Sequence, residues 1–268
     1  ACIPMLSSTG APTVRPARVH LVDMFPRDSP RNFLFRGDNP VSDQTFNLSS
    51  LLAVLREAAS NECGVGLPEE FQFVDMSLEN LSDPGYVEEI RYWQMHPEEG
   101  RLLKWPLLGS LHDVQRSADR QSLVASGKWA IEGNADHLLE RLSMTRSLLQ
   151  NTTSPPTVIF AHCNAGCDRT GEFIGSYMMS YLDYNITTAM GEDCRQCGRC
   201  PNYFASNSLG WWCLTLQLMH NRTGLGDCLD AFDCEPLGDC VARAPTHPAD
   251  PCPTIARRAM RNDGREVE

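Results

Sequence analysis

The spacing of apolar residues changes period several times along the chain, and each change marks an element. Short apolar runs at 19–23 and 32–36 predict strands, closed by the turn cluster Gly37-Asp38-Asn39-Pro40. From 48 to 59 the apolar positions recur at helical spacing, with Gly64 behind them as a stop signal. Alternation returns at 71–76 and predicts a strand. Asp83-Pro84 then opens a helix running to Gln94, with Asp83 as N-cap, Pro84 at the first helical position and acidic Glu88 and Glu89 in the early turns. Residues 102–107 read as a third core strand and 110–133 as a polar loop with some helix. Residues 134–150 read as a helix whose apolar side is Leu138, Leu139, Leu142, Leu148 and Leu149.

Pro155-Pro156 breaks the chain again, and Thr157-Val158-Ile159-Phe160-Ala161 is a continuous apolar and β-branched run. Such a run suits a central strand covered on both faces. A polar, glycine-containing loop follows, then a helical pattern over 170–182. Strands alternating with helices predict an α/β fold with a central, mostly parallel sheet flanked by helices. After Asn185 the texture changes: Cys194, Cys197, Cys200, Cys213, Cys228, Cys234, Cys240 and Cys252 crowd around one helix over 208–220, where Trp211, Trp212 and Leu214 read as core. The expected organisation is one domain over 1–268. It has a catalytic core over about 15–190, a cysteine-rich extension over about 191–256, and a charged, loose end at 257–268.

The bulk numbers narrow the function. The chain has 268 residues, 42% of them apolar, enough for one sizeable core. It contains no run of about 20 apolar residues that would span a membrane. A net charge of −11 disfavours nucleic acid and anionic lipid as general partners, so an anionic ligand needs a local positive site. Twelve cysteines fit either disulfides in an oxidising compartment or metal binding in a reducing one. Asn-x-Ser/Thr triplets at Asn47, Asn80, Asn151, Asn185 and Asn221 are possible N-glycan acceptors and tip the balance to disulfides, in a protein secreted or lumenal to the secretory or endolysosomal system. Starting at Ala1, without methionine, the chain also reads as a processed product. Zinc at Cys194, Cys197 and Cys200 is the alternative.

The chemistry concentrates in the loop His162-Cys163-Asn164-Ala165-Gly166-Cys167-Asp168-Arg169-Thr170-Gly171. A turn that wraps backbone N–H groups around the start of a helix makes an anion cradle. Gly166 lets the backbone approach a ligand closely. The same amides and dipole stabilise a thiolate on Cys163, at the strand end. Arg169 can return to the mouth and grip two phosphate oxygens with its planar fork. In that arrangement Cys163 attacks phosphorus, while Arg169 and the amides of Asn164, Ala165, Gly166, Cys167 and Thr170 bind the phosphate. The Thr170 hydroxyl eases departure of the Cys163 sulfur, and His162 braces the loop. No metal or other cofactor is needed.

His-Cys-x5-Arg-Thr-Gly, with glycine three places after the cysteine, resembles the phosphate loop of the protein tyrosine phosphatase superfamily. The resemblance is specific over about 157–182 and extends loosely to the upstream α/β pattern, especially that of the dual-specificity and lipid-directed branches. It implies hydrolysis of phosphate monoesters on a phosphorylated protein, lipid or small molecule through a phosphocysteine. The Asp-Arg-Thr-Gly ending is similar to members whose aspartate before the arginine is the general acid, which makes Asp168 the first candidate, ahead of Asp113 and then Asp119. Asn164 and Cys167 stand where phosphoinositide-directed relatives often carry lysine, so a phosphoinositide or inositol phosphate substrate is the alternative. A secreted pseudophosphatase that binds phospho-ligands without turnover is a further one. A rhodanese-like sulfur transferase fits less well because of His162 and the Arg169-Thr170 pair. Cys167 either packs or traps oxidised Cys163 as a disulfide.

Overall fold

The computed structural model describes residues 14–29, 31–235 and 237–243; Cys252 and the charged end at 257–268 lie outside them. The elements run β1 (His20–Phe25), β2 (Asn32–Asp38), β3 (Val41–Ser42), β4 (Thr45–Phe46), α1 (Leu48–Cys63), β5 (Gln72–Ser77), α2 (Tyr86–Met95), β6 (Gly100–Lys104), α3 (Arg120–Ser126), α4 (Leu138–Gln150), β7 (Thr157–Cys163), α5 (Arg169–Tyr181), α6 (Ile186–Cys197), α7 (Tyr203–His220), β8 (Phe232–Cys234) and β9 (Cys240–Ala242).

Five strands form one sheet in the order β1-β2-β7-β5-β6. β7 runs parallel to both neighbours, β5 and β6 are parallel, and β1 alone is antiparallel. This is the mixed, mostly parallel α/β sheet expected from the strand-helix alternation. All seven residues of β7 are buried, as are all seven of β2. Alternation sorts β7 onto two cores. Val158 and Phe160 join Leu51 and Leu55 of α1 and Trp93 of α2 on one face. Ile159, Ala161 and Cys163 join Leu142 of α4, Phe173 and Tyr177 of α5, and Trp211 and Trp212 of α7 on the other. The candidate nucleophile therefore sits on the face that α5 covers.

Several boundaries depart from the pattern-based reading. α2 starts at Tyr86 with Gly85 as N-cap, and Asp83 is not a cap; its side chain has a long-range partner described below. The third strand lies at 100–104, a half-buried edge, because Pro106 cannot extend a ladder. Residues 134–137 are a left-handed turn, with Asn134, Ala135, Asp136 and His137 all at positive φ, so α4 begins only at Leu138. Leu139 is consequently 53% exposed. α6 was not foreseen, because its buried face includes Glu192, Asp193 and Gln196 in place of an apolar stripe.

The cysteines pair as Cys167–Cys197, Cys194–Cys200, Cys213–Cys228 and Cys234–Cys240. With these sulfurs in disulfides, Cys194, Cys197 and Cys200 offer no thiolate for zinc. No described helix is long and apolar enough to cross a membrane. Asn151 and Asn221 are exposed, whereas Asn47 and Asn185 cap α1 and α6 through their side-chain oxygens.

Candidate active-site loop

The loop joins the C-terminal end of β7 to the first turn of α5. Cys163 is the free thiol among the described residues, and it is 1% exposed. The Gly166 amide turns back onto the Cys163 carbonyl at 3.3 Å, while the amides of Ala165, Cys167 and Asp168 find no acceptor among the described residues. Unspent N–H groups at a helix start form the donor set of an anion cradle. The carbonyls of Ala165 and Gly166 are met by guanidinium groups, while those of Cys167 and Asp168 accept the Gly171 and Glu172 amides of α5. Arg18, in the turn Pro16–Arg18, donates to Ala165 O at 2.5 Å, and Arg36 of β2 donates to Gly166 O at 2.9 Å. Arg36 is buried and also pairs with Asp193 of α6. Burial pushes the Asp193 carboxyl up to about 7, against the pull of Arg36.

Gly166 has a φ of +70°, and a Cβ there would stand 2.6 Å from the carbonyl oxygen of Gly37. The close approach that requires glycine is thus to the backbone of β2, a different partner from the ligand that the motif suggested. Thr170 is buried, and its hydroxyl makes no hydrogen bond, so the expected bond to the Cys163 sulfur is not formed. Cys167 is bonded to Cys197, which removes it as a thiol able to trap Cys163. The loop is therefore tied covalently to α6.

Arg169 is held by Asp83: Nη1 and Nη2 each meet one carboxylate oxygen, the second at 3.2 Å, and Nη1 also reaches Leu78 O at 3.4 Å. Burial opposes charge on Asp83, yet the Arg169 fork and the Asn80 amide outweigh it and hold the carboxyl below its ordinary range. A fork fixed in this way pre-orients the guanidinium. Asp83 is a residue that pattern reading missed, because Asp-Pro is also the signature of a helix start. Asp83→Asn is expected to raise KM for a phosphate ester and lower kcat/KM by roughly 10–100-fold, as steady-state kinetics would read.

His162 does brace the site. Its Nε2 lies 2.7 Å from Glu89 and 3.0 Å from Asp75, and its carbonyl accepts from the Leu78 amide at 2.9 Å. Burial disfavours its charge, but Glu89 and Asp75 outweigh burial and lift the imidazole well above its ordinary range.

Glu79, 1% exposed, follows β5 beside this network. Burial raises it to about 7, with His162 and Arg169 opposing and Asp83 and Asp75 adding. Between the ordinary carboxyl value and about 7, the folded chain keeps a proton that the unfolded chain has lost, so stability falls as pH rises through that window. Glu79→Gln removes the titrating group. Its urea-denaturation stability relative to the parent is expected to grow by roughly 2–3 kcal/mol from acidic to mildly alkaline pH.

Both oxygens of Asp168 are engaged: Arg199 forks onto them at 2.8 and 2.6 Å, and the Asn202 amide adds 2.8 Å. Asp113 closes its own turn, accepting from the amides of Gln115 at 2.9 Å and Arg116 at 3.0 Å. Asp119 precedes α3 without a side-chain cap. A hollow of about 210 Å³ beside Arg169 is lined by Asn80, Leu107, Asp168, Glu172 and Asn202 among others; Asp113 is not in its wall, and Asn164 lines a separate groove with Arg15 and Asp38. The left-handed turn at 134–137 fixes one wall, where Asp136 accepts from the amides of Leu108 at 3.3 Å and Gly109 at 3.0 Å.

No protein-family model and no curated protein matches the sequence. Among solved structures, the chain is similar to the Trypanosoma brucei protein tyrosine phosphatase TbPTP1. The identity is 17%, over 77% of this chain and 75% of that one, with a TM-score of 0.31.

Proposed function

We propose that the protein is a cysteine-dependent phosphatase that hydrolyses phosphate monoesters through a phosphocysteine. One observation carries this reading: a free thiol ends the central strand at the rim of a loop of unspent amides, with the Asp83-held Arg169 beside it. The Cys163 thiolate attacks phosphorus in line and the ester oxygen leaves. The amides of Ala165, Cys167 and Asp168, with Arg169, take the charge on the equatorial oxygens; Asn164, Gly166 and Thr170 complete the loop. Water then attacks the phosphocysteine, releasing phosphate and restoring the thiolate. Asp168 is the proton donor to the leaving oxygen in this scheme. Delivering that proton requires the Arg199 fork to open, a step that substrate binding would drive.

The same fork favours a second reading, in which the loop binds phosphorylated ligands without turnover. Release of p-nitrophenol from p-nitrophenyl phosphate, with a chelator present, separates the two. Sustained turnover supports the phosphatase, and an inert protein that still binds phosphate supports the second. The disulfides and the five acceptor triplets support a secreted or lumenal glycoprotein. Mobility shifts after glycosidase treatment of the secreted chain, lost residue by residue in Asn→Gln variants, would test that.

A further inference from the structure

The face of the sheet that α2 covers carries charge of its own, away from the side chain of Cys163. In the β5–β7 register Ser77 pairs with His162 and Asp75 with Phe160, so Asp75, Ser77 and His162 share one face. Glu89 comes down onto them from α2. All four side chains are buried, at 0–1% exposure.

His162 Nε2 lies 2.7 Å from Glu89 Oε1 and 3.0 Å from Asp75 Oδ1, and the three atoms fall within 4.8 Å of one another. One ring nitrogen carries one proton at most, and Glu89 is its hydrogen-bond partner. Asp75 Oδ1, at nearly the same distance, makes no hydrogen bond, and neither do Glu89 Oε2 and Ser77 Oγ. Buried carboxylate oxygens without partners are costly unless a cation neutralises them. A metal ion between Nε2, Oδ1 and Oε1 would satisfy three lone pairs at once, which a single proton cannot do. The donor set also selects the ion. One imidazole nitrogen with two carboxylate oxygens suits zinc, whereas calcium and magnesium take oxygen ligands. Glu89 Oε2, on the same carboxylate, is at hand for a fourth position.

We propose that Asp75, Glu89 and His162 form a buried structural zinc site between β5, β7 and α2. The ion pins α2 to two central strands and fixes the end of β7 from behind. It takes the imidazole as a neutral ligand, so its entry releases the proton shared by His162 and Glu89. It does not act on phosphate, because Cys163 packs on the opposite face of the sheet with α5. The site therefore stands or falls independently of the phosphatase reading.

The test uses the full chain carrying Cys163→Ser, which removes the free thiol as a competing ligand. Protein produced in zinc-supplied medium is exposed briefly to a chelator and desalted, and its zinc is counted by elemental analysis. Chelator strips a surface group such as His96, Glu98 and Glu99 but reaches a buried ion only when the fold opens. About one zinc per chain is expected, released on unfolding in urea. Glu89→Gln or Asp75→Asn is expected to leave about 0.2 per chain or less, while Glu99→Gln keeps the ion. Refolding in chelator should lower the melting temperature by about 5 °C or more relative to refolding in zinc, a difference that Glu89→Gln abolishes. A zinc-free chain that melts alike in zinc and in chelator overturns the site and leaves a cluster held by a proton. Zinc retained equally in Glu89→Gln and Asp75→Asn overturns it as well, by placing the ion elsewhere. Should both variants fail to fold, X-ray absorption at the zinc edge of the parent chain decides. Nitrogen and oxygen ligands alone support the site, and sulfur at the ion overturns it. Turnover of p-nitrophenyl phosphate by the wild-type chain is read separately, so either reading can fail without the other.

Discussion

Cys163→Ser is expected to lower kcat for p-nitrophenyl phosphate by roughly 10⁴-fold or more while leaving inorganic phosphate binding nearly intact. The two halves follow from different parts of the loop. In the proposed mechanism the sulfur is the reacting atom, and a serine hydroxyl there has no adjacent general base: His162 is turned away onto Glu89 and Asp75. The cradle is made by the amides of Ala165, Cys167 and Asp168 and by Arg169, none of which the substitution touches. Burial at 1% exposure means that the smaller oxygen leaves the packing almost unchanged. Parallel loss of binding and turnover would mean that Cys163 holds the loop together structurally, and the nucleophile would have to be sought elsewhere.

The double variant Cys167→Ser/Cys197→Ser is expected to lose both stability and activity. The bond joins residues 30 apart in sequence. In the chain-entropy picture a link of that span contributes roughly 3–4 kcal/mol. A loss of that size lowers the melting temperature by roughly 6 °C in a chain of this length. Activity should fall further than stability alone explains, because the bond anchors the middle of the cradle to α6, next to the Arg36–Asp193 pair that holds Gly166. Cys213→Ser/Cys228→Ser is the control. It removes the bond between α7 and the segment after it, over 15 residues. Melting temperature should drop there too, with kcat/KM retained at temperatures where the protein stays folded. Equal activity losses in both double variants would reduce the Cys167–Cys197 bond to a general staple.

What could be read beforehand was what is local. The β7-loop-α5 unit is contiguous, and its signals all lie within 28 residues: Pro155-Pro156, the apolar run, the polar turn, the helical pattern. The mostly parallel sheet followed from strand-helix alternation for the same reason. The residues that complete the candidate site were illegible because they arrive from a distance. Asp83 reaches Arg169 across 86 positions, and Arg18 reaches Ala165 across 147. Arg36 and Asp193 form a buried pair that no local pattern announces, since a strand arginine and a helix aspartate both read as surface. Arg199 stands between Cys197 and Cys200 in the sequence, and the partners of those cysteines, Cys167 and Cys194, fix the segment that aims it. Cys167 is the instructive case. Its sequence position left it either to pack or to trap Cys163, four residues away, and the fold gives it Cys197 instead. Glycine at 166 was expected for a reason of the right kind, close approach, but the approaching group is the Gly37 carbonyl.

The central claim is that phosphate passes through a covalent bond to Cys163. Its most direct test is to mix the wild-type chain with radiolabelled phosphate ester, quench within the first turnovers, and map the labelled peptide. Label is expected on the peptide spanning 157–169, lost when Cys163 is serine, and released by water at the rate of turnover. Steady hydrolysis with no labelled peptide, or label on another residue, would contradict the account.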